Sequence, residues 1–256
     1  MKKIVCGVLI AFIGFIFSAC GSQDENTERI NDTGSRSSND NVPVWLERFY
    51  NSDYEYRKST IILENDIEDT IIVVEGKVET SPYKEYVKII EPAESSWSEA
   101  WFYGDGENIN AILNVDNSYV QQNTRHFYPY GYGRDLSLTK DRTEKYGDIS
   151  CDVYTAEYTV DLADQINQET GEATITDPIT AVVSQEYYVD PKQDQLLCMI
   201  TDLTDQQEKT EIANRVMNDN ITVEKAQKMV SLNEVTKEKM EILSYDDLIS
   251  IDIPEI

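Results

Sequence analysis

The residues best suited to chemistry lie in the stretch RHFYPYGYGRD, residues 125–135, which contains His126, the only histidine of the chain. Four aromatic side chains follow this histidine: Phe127, Tyr128, Tyr130 and Tyr132. A Ser-His-acid catalytic set would need His126 as its base, but no G-x-S-x-G motif occurs, and His126 lies in a Pro/Gly/Tyr loop. We therefore favour a surface or hydrogen-bonded loop histidine over a catalytic one.

The aromatic residues of this stretch permit two interpretations. Flat rings on a glycine-hinged loop could close over an apolar ligand or stack on a sugar, which makes them candidates for a ligand-binding lid. Alternatively, Phe127 and Tyr130 pack onto the body of the protein, and the glycines only turn the chain. The composition alone does not choose between these interpretations.

Other kinds of chemistry have little support in the sequence. One histidine and two distant cysteines lack the ligand spacing of a zinc site. Carboxylate pairs arise by chance among 48 acidic residues, and the oxygen-rich segments YGDGENIN and VDPKQDQ lack the EF-hand spacing. Neither a phosphate-binding glycine loop nor a dinucleotide fingerprint occurs. We therefore expect no enzymatic activity, no cofactor and no metal site.

The N-terminal residues predict export. Residues 1–3 (MKK) are positively charged, and residues 4–17 are an apolar run of fourteen, shorter than the ~20 residues of an ordinary membrane-spanning helix. Residues 17–20, FSAC, resemble the lipobox of bacterial lipoproteins. The resemblance implies cleavage before Cys20, lipid attachment to it, and anchoring on the extracytoplasmic side of the cell membrane. The alternatives are an uncleaved anchor or a coincidental cysteine.

Composition then divides the chain into three parts: a signal peptide at residues 1–19, a flexible tether at residues 20–43, and a single domain at residues 44–256. The tether is rich in Ser, Asn, Asp, Glu, Thr and Gln, and cannot bury enough surface to fold. Cleavage removes two lysines and no acids, so the net charge changes from −26 to −28. A chain this acidic is repelled by nucleic acid, which we exclude as a partner.

The sequence pattern of the domain predicts strands with a few short helices. A helix after Pro43 would bury Trp45, Leu46 and Phe49. A capping box of Thr204 and Gln207 predicts a second helix, and Thr222 could cap a third. Alternation and turn residues predict strands at residues 54–63, 70–78, 83–90, 97–103, 108–115, 118–122, 151–160, 179–190, 195–201, 234–243 and 248–253.

Successive hairpins with few helices predict an α+β fold, a large curved antiparallel sheet that forms an unclosed half-barrel. A sheet of this length tends to curl, and a curled sheet has a concave, partly apolar trough. A β-sandwich is the alternative.

Several strand segments also resemble a known superfamily. IIVVEGKVETSPYKEYVKI is similar to the front sheet of the LolA/LppX superfamily, and CDVYTAEY, EYYVDPKQDQLLCMITDL and SYDDLISIDIPEI are similar to the back strands of its relatives. The resemblance implies an unclosed barrel, with helices in its mouth, that holds acyl chains or another hydrophobe. No residue matches the lid arginine of LolA, so the resemblance does not extend to lipoprotein shuttling.

Two functions follow as hypotheses. The first is a membrane-anchored lipoprotein that binds a lipid or other hydrophobic ligand in the concave face of its sheet. The second is an envelope interaction or sensing scaffold whose core is filled and holds no small molecule.

Cys151 and Cys198 provide a geometric prediction. An even pair of cysteines in an exported protein suggests a disulfide. However, an antiparallel meander of strands 151–160, 179–190 and 195–201 places the two cysteines on either side of the middle strand, near Tyr187 to Val189. A separation of two strands is ~9.6 Å, whereas a disulfide needs Cα atoms within ~7 Å. We therefore predict two free, buried thiols.

Overall fold

The computed structural model describes residues 42–64, 67–91, 97–104, 108–125, 137–162, 177–231, 234–246 and 248–256. Eleven strands lie within these residues. Their bounds are β1 Tyr54–Glu64, β2 Ile67–Thr80, β3 Tyr83–Glu91, β4 Glu99–Gly104, β5 Asn108–Val115, β6 Ser118–Arg125, β7 Thr139–Tyr146, β8 Ile149–Asp161, β9 Thr180–Asp190, β10 Gln195–Asp202 and β11 Glu234–Tyr245.

All eleven strands belong to one antiparallel sheet with the order β6-β5-β4-β3-β2-β1-β11-β10-β9-β8-β7. The sheet is open, because β6 and β7 are its two edges and do not pair with each other. This arrangement confirms the predicted unclosed half-barrel with a few short helices, rather than the β-sandwich. Residues 126–138 connect the two edge strands along the chain.

The sheet has two distinct faces, since successive side chains of a strand point to opposite sides. In β9 the buried residues Ala181, Val183, Gln185, Tyr187 and Val189 alternate with more exposed ones in most of the strand. We call the side on which they lie the inner face, because the helices pack on it. The opposite side is the outer face.

Three helices occur in the described residues: α1 Val44–Asn51, α2 Thr204–Asp219 and α3 Val223–Gln227. The predicted apolar side of α1 is confirmed, with Trp45, Leu46 and Phe49 buried. The Trp45 ring lies 5.4 Å from both the Tyr154 and the Tyr187 ring. Helix α1 therefore packs on the inner face near the turn between β9 and β10.

The predicted capping box of α2 is wrong. The N-cap residue is Leu203, and no side chain caps it. The Thr204 hydroxyl instead accepts a hydrogen bond from the Thr236 backbone N–H at 3.1 Å, and the Thr236 hydroxyl pairs with the side chain of Gln207. These side chains attach the helix to β11, and tertiary contact replaces the local cap. The predicted Thr222 cap of α3 is confirmed.

Two strand predictions need correction. Strand β7, TKDRTEKY, was not predicted, because seven of its eight residues are polar and it lacks an apolar alternation. Residues 248–253 were predicted as a strand but pair with no described strand. Their alternating isoleucines instead pack on the outer face, where Ile251 is 4% exposed and contacts the cluster of Trp101 and Ile112.

The cysteine prediction is confirmed, since Cys151 and Cys198 are free and buried. Both lie on the outer face with Val153 and Tyr188. Cys198 faces Tyr188 rather than Tyr187, because a bulge between Leu196 and Cys198 shifts the register. The middle strand β9 separates the two cysteines, as the meander requires.

Candidate functional site

The inner face carries one continuous apolar cluster, which we call the main cluster. It draws buried side chains from nine of the eleven strands, so the apolar surface extends across almost the whole sheet. One member from each strand is Tyr54, Ile72, Val87, Ala100, Ala111, Ala156, Tyr187, Leu196 and Met240. Helix α1 packs against it through Trp45, Leu46, Phe49 and Tyr50.

A second apolar cluster lies under α2 and α3, which we call the helix cluster. It joins Val160, Ala181 and Val183 of the sheet to Ile212 and Ala213 of α2. Along β9, Val183 belongs to the helix cluster and Tyr187 to the main cluster. Gln185 lies between them on the same face, so the two clusters meet at a polar residue.

Gln185 is one of four polar residues that form a row across adjacent strands. The register pairs Thr60 of β1 with Glu238 of β11, Glu238 with Thr201 of β10, and Thr201 with Gln185 of β9. Because directly opposed residues share a face, all four lie on the inner face. Thr60, Thr201 and Gln185 are buried, at 2%, 5% and 4% exposure. We call this set the polar row.

Hydrogen bonds organise one end of the polar row. Gln185 donates its amide N–H to the Thr201 hydroxyl at 3.3 Å and accepts the Tyr187 hydroxyl at 2.6 Å. Burial raises the pKa of Tyr187 far above its ordinary value, so its hydroxyl remains a proton donor at neutral pH. These contacts fix the orientation of the Gln185 amide.

An ion pair lies beside the other end of the polar row, at Glu238. The Lys58 ammonium lies 3.4 Å from the Glu238 carboxylate, and these side chains are only 17% and 14% exposed. Glu238 Oε1 is buried and accepts no hydrogen bond within the part of the chain that the structure describes, although the ion pair provides charge compensation. Burial and the nearby Glu238 charge raise the pKa of Tyr158. The site thus combines opposite charges with an unsatisfied acceptor.

A buried carboxylate lies elsewhere on the inner face. Glu85 accepts hydrogen bonds from the Tyr56 hydroxyl at 2.5 Å and the Tyr83 hydroxyl at 2.6 Å. The Tyr56 ring crosses directly over Gly76, where a Cβ atom would overlap it. Each carboxylate oxygen of Glu85 therefore has a hydrogen-bond donor within the fold, which offsets the cost of its burial.

The residues predicted for a site do not include those that the structure brings together. Cys20, His126 and the proposed lid residues lie outside the described residues; the lid residues are Phe127, Tyr128, Tyr130 and Tyr132. The polar row was not predicted, because its members lie on four strands and meet only through the strand order. Their local signal is a polar residue on the apolar side of an alternating strand, as with Gln185.

Two kinds of site are absent from the described part of the chain. No group of three or more His, Cys, Asp or Glu residues there could hold a metal ion. No helix among the residues described is long and apolar enough to span a membrane. The arrangement that the described residues do show is two apolar clusters that meet at a polar row.

Comparison with protein-family models and with curated protein sequences gives no match. The fold is similar to the crystal structure of the lipoprotein LppX from Mycobacterium tuberculosis, at 11% identity and a TM-score of 0.38, covering 83% of this chain and 100% of that one. It is also similar to LprF from Mycobacterium bovis, at 10% identity and a TM-score of 0.37, covering 82% and 93%. A LolA superfamily protein from Nitrosomonas europaea matches at 12% identity and a TM-score of 0.30, covering 79% and 93%. These structural neighbours include members of the superfamily that the strand motifs resemble.

Proposed function

We propose that the protein is a membrane-anchored extracytoplasmic lipoprotein that binds a lipid or other hydrophobic ligand on the inner face of its sheet. The observation that carries the proposal is the main cluster, which makes the inner face apolar across nine strands. Burial of apolar surface contributes roughly 25 cal/mol per Å², so a ligand laid along this face gains affinity from contact area. The function is binding rather than catalysis.

The anchor in this proposal is a lipid on Cys20. Residues 20–43 would act as a polar tether that keeps the domain at the membrane, which is the source of a hydrophobic ligand. One acyl chain holds a protein only marginally, at ~0.8 kcal/mol per buried methylene, so stable anchoring requires more than one chain on the cysteine.

The aromatic residues Phe127, Tyr128, Tyr130 and Tyr132 are the proposed lid. Their position in the chain supports this role, since residues 126–138 connect the two edge strands β6 and β7 of the open sheet. In the proposal, these rings contribute apolar contact to the bound molecule.

The scaffold function remains the second candidate, and one observation favours it. At the α1 end, large aromatic side chains fill the inner face, with Trp45, Tyr54, Tyr56 and Tyr187 each at most 5% exposed. An inner face filled in this way throughout would leave no room for a ligand. The two functions therefore differ in whether the inner face accepts a hydrophobe.

Neighbouring isoleucines on β3 allow a matched test. Ile89 packs against the main cluster, whereas the adjacent Ile90 is 38% exposed and lies outside that cluster. With a fluorescent fatty acid as probe, Ile89→Gln should weaken binding severalfold, because it places an amide on the apolar face. Ile90→Gln should leave the affinity unchanged. If the wild-type protein does not bind the probe, or if both variants bind like wild type, hydrophobe binding on this face is wrong and the scaffold function is favoured.

A further inference from the structure

The two edges of the open sheet differ in how they are protected. An edge strand carries a row of unpaired backbone N–H and C=O groups that can pair with a strand of another chain, and proteins usually block such pairing with charges, bulges or prolines. Strand β7 has two of these features. Five of its eight residues are charged, and a bulge interrupts its pairing with β8 between Lys140 and Arg142. This edge is therefore protected against pairing.

Strand β6, the other edge, has none of these features. Its residues 118–124, SYVQQNT, contain no charge and no proline, and they pair with β5 in one unbroken register. Within the described residues, β5 is the only strand that pairs with β6. The Tyr119 and Val120 side chains are 45% and 42% exposed. Strand β6 is therefore an unprotected edge that begins with exposed apolar side chains.

The turn before β6 determines which backbone groups of this strand face away from β5. The turn consists of two residues, 116–117, both with positive φ, and it joins the paired residues Val115 and Ser118. In a hairpin with such a turn the closing pair is hydrogen-bonded, and hydrogen-bonded pairs then alternate along the two strands. Every second residue of β6 thus points its N–H and C=O groups away from β5, namely Tyr119, Gln121 and Asn123.

Apolar side chains lie next to this edge on both faces of the sheet. On the outer face, the Tyr119 ring packs edge-on against the Trp101 ring, with 5.7 Å between the centroids. On the inner face, Val120 lies opposite Leu113 of β5, which packs against the main cluster. A strand that paired with β6 would therefore cover apolar surface on both faces, in addition to satisfying the backbone groups of the edge.

The lack of charge favours a second copy of this chain as the pairing strand. When two copies of one strand pair antiparallel about a twofold axis, a charge near the axis meets the same charge of the other copy and opposes pairing. Residues 118–124 carry no such charge. A basic partner would instead be attracted by acidic residues, and this stretch has none although the chain contains 48.

We propose that two copies of the protein associate by antiparallel pairing of β6 with β6, about a twofold axis at Gln121. Gln121 is the middle residue of the uncharged stretch, and its outward N–H and C=O groups can bond to the same groups of the second copy. This register pairs Tyr119 with Asn123 of the second copy. The protected β7 edge ends the assembly at two copies. The inference is independent of ligand binding on the inner face.

The test mixes two preparations of the full chain in nonionic detergent. The light copies contain p-benzoylphenylalanine in place of Tyr119, and the heavy copies are isotope-labelled. Irradiation joins the benzophenone to the chain next to it, and mass spectrometry identifies the attached peptide and its isotope. We expect a light–heavy product attached to β6 of the heavy copy, with a yield that rises with protein concentration.

Charge variants at Gln121 test the twofold axis. The Gln121 side chain is exposed, so Gln121→Glu and Gln121→Lys should both fold, which thermal unfolding verifies. Each variant by itself should reduce the light–heavy yield about tenfold, because like charges meet at the axis. A mixture of light Gln121→Glu with heavy Gln121→Lys should restore the yield, because opposite charges then meet. A misfolded variant would not be rescued in this way.

The control adds the same charge to the opposite edge. Thr139→Glu changes an exposed position of β7 and should leave the yield unchanged. Salt provides a second measurement, because it screens the repulsion between two chains that each carry a net charge of −26. Raising the salt concentration should therefore increase the yield. A yield that falls with salt would indicate contact between opposite charges and would overturn the proposal.

Other results would also overturn it. If no light–heavy product forms at any concentration, two copies do not pair through β6. If the benzophenone attaches only within its own chain, or outside β6 of the heavy copy, a different segment lies at this edge. If the two Gln121 variants cross-link like wild type, or if their mixture is not rescued, the twofold axis at Gln121 is wrong.

Discussion

At the scale of single residues, the contact between Tyr56 and Gly76 shows how side chains share the inner face. The Tyr56 ring lies over Gly76 and its hydroxyl reaches Glu85, which also accepts the Tyr83 hydroxyl. Only a residue without a Cβ leaves space for the ring to cross β2. The glycine therefore permits a buried carboxylate on an apolar face to be fully hydrogen-bonded.

Gly76→Ala should destabilise the protein by about 1–3 kcal/mol, because the new methyl group overlaps the Tyr56 ring and displaces it from Glu85. Urea unfolding measures the change. In a Tyr56→Leu background the ring is absent, so the cost of the alanine should largely disappear. An equal cost in both backgrounds would contradict this explanation.

The Cys198 thiol is buried on the outer face, and its burial raises its pKa to about 11 from an ordinary value near 9. Below pH 9 the thiol is protonated in both the folded and the unfolded states, so its ionisation does not change the stability. Between about pH 9 and pH 11 only the unfolded state deprotonates, so stability falls with rising pH, by roughly 2–3 kcal/mol in total.

The pH dependence is tested by comparing the wild type with Cys198→Ala in urea unfolding from pH 8 to pH 11. The difference in unfolding free energy between the two proteins should shrink as the pH rises. Because Cys198 is buried, an alkylating agent at neutral pH should modify it only after the protein is denatured. Because the thiol is free, no reducing agent should be needed. Parallel pH profiles, or thiols that resist alkylation in the denatured, unreduced protein, would contradict the prediction.

At the scale of elements, α1 joins strands that are distant in the sequence. Trp45 contacts Tyr154 of β8 and Tyr187 of β9, while Phe49 stacks on Tyr54 of β1 at 5.0 Å. A helix of eight residues is too short to be stable alone, so its packing on the sheet stabilises it. The helix in turn buries the aromatic residues of three strands.

Trp45→Ala should destabilise the protein by about 3–5 kcal/mol, because it leaves a cavity between two tyrosine rings. Trp45→Phe should cost less than about 1.5 kcal/mol, since it keeps an aromatic ring and removes an indole N–H that is buried without an acceptor in the described chain. Urea unfolding distinguishes the two. The exposed neighbour Val44 provides the control, as Val44→Ala should change stability by no more than about 0.5 kcal/mol.

At the scale of the whole molecule, charge and apolar surface lie in different places. The chain carries 48 acidic and 22 basic residues, whereas the described inner face is mainly apolar and its polar groups include the polar row, Lys58 and Glu85. Electrostatic attraction between the acidic exterior and a charged ligand would be screened by salt. The proposed binding on the inner face would instead depend on the removal of apolar surface from water.

The affinity for a fluorescent fatty acid should therefore change little when salt is raised to about 0.5 M, where the Debye length falls well below the ~10 Å of 0.1 M salt. A titration at low and high salt measures this. Loss of binding in high salt would indicate an electrostatic surface site instead of the inner face. A short-chain acid with the same carboxylate provides the control and should not compete.

The proposed lipid anchor can also be tested on the whole molecule. Cys20→Ala should abolish the incorporation of a fatty-acid analogue and block lipoprotein processing, because the proposed attachment site is lost. Metabolic labelling and membrane fractionation test this, with Cys198→Ala as the control that keeps normal labelling. Normal acylation of Cys20→Ala would show that the lipid is attached elsewhere or that the lipobox resemblance is coincidental.

The sequence by itself determined the local elements. Alternation in β8 placed Tyr154, Ala156 and Val160 on one side, and that side is the inner face, because the two-residue period of a strand is a local property. The four-residue spacing of Trp45 and Phe49 predicted the buried side of α1, because the period of a helix is also a local property. The separation of the two cysteines followed from strand spacing and hairpin connection, which are also short-range.

Only the tertiary structure decided which strands become neighbours and which faces are covered. Strand β7 has no apolar alternation, and it forms because β8 offers an edge for backbone pairing. Residues 248–253 alternate as a strand does, yet they pack through side chains on the outer face. Thr60 and Glu238 are adjacent although 178 residues separate them, because β1 pairs with β11. The polar row depends on this long-range pairing, which the local pattern of a single strand does not encode.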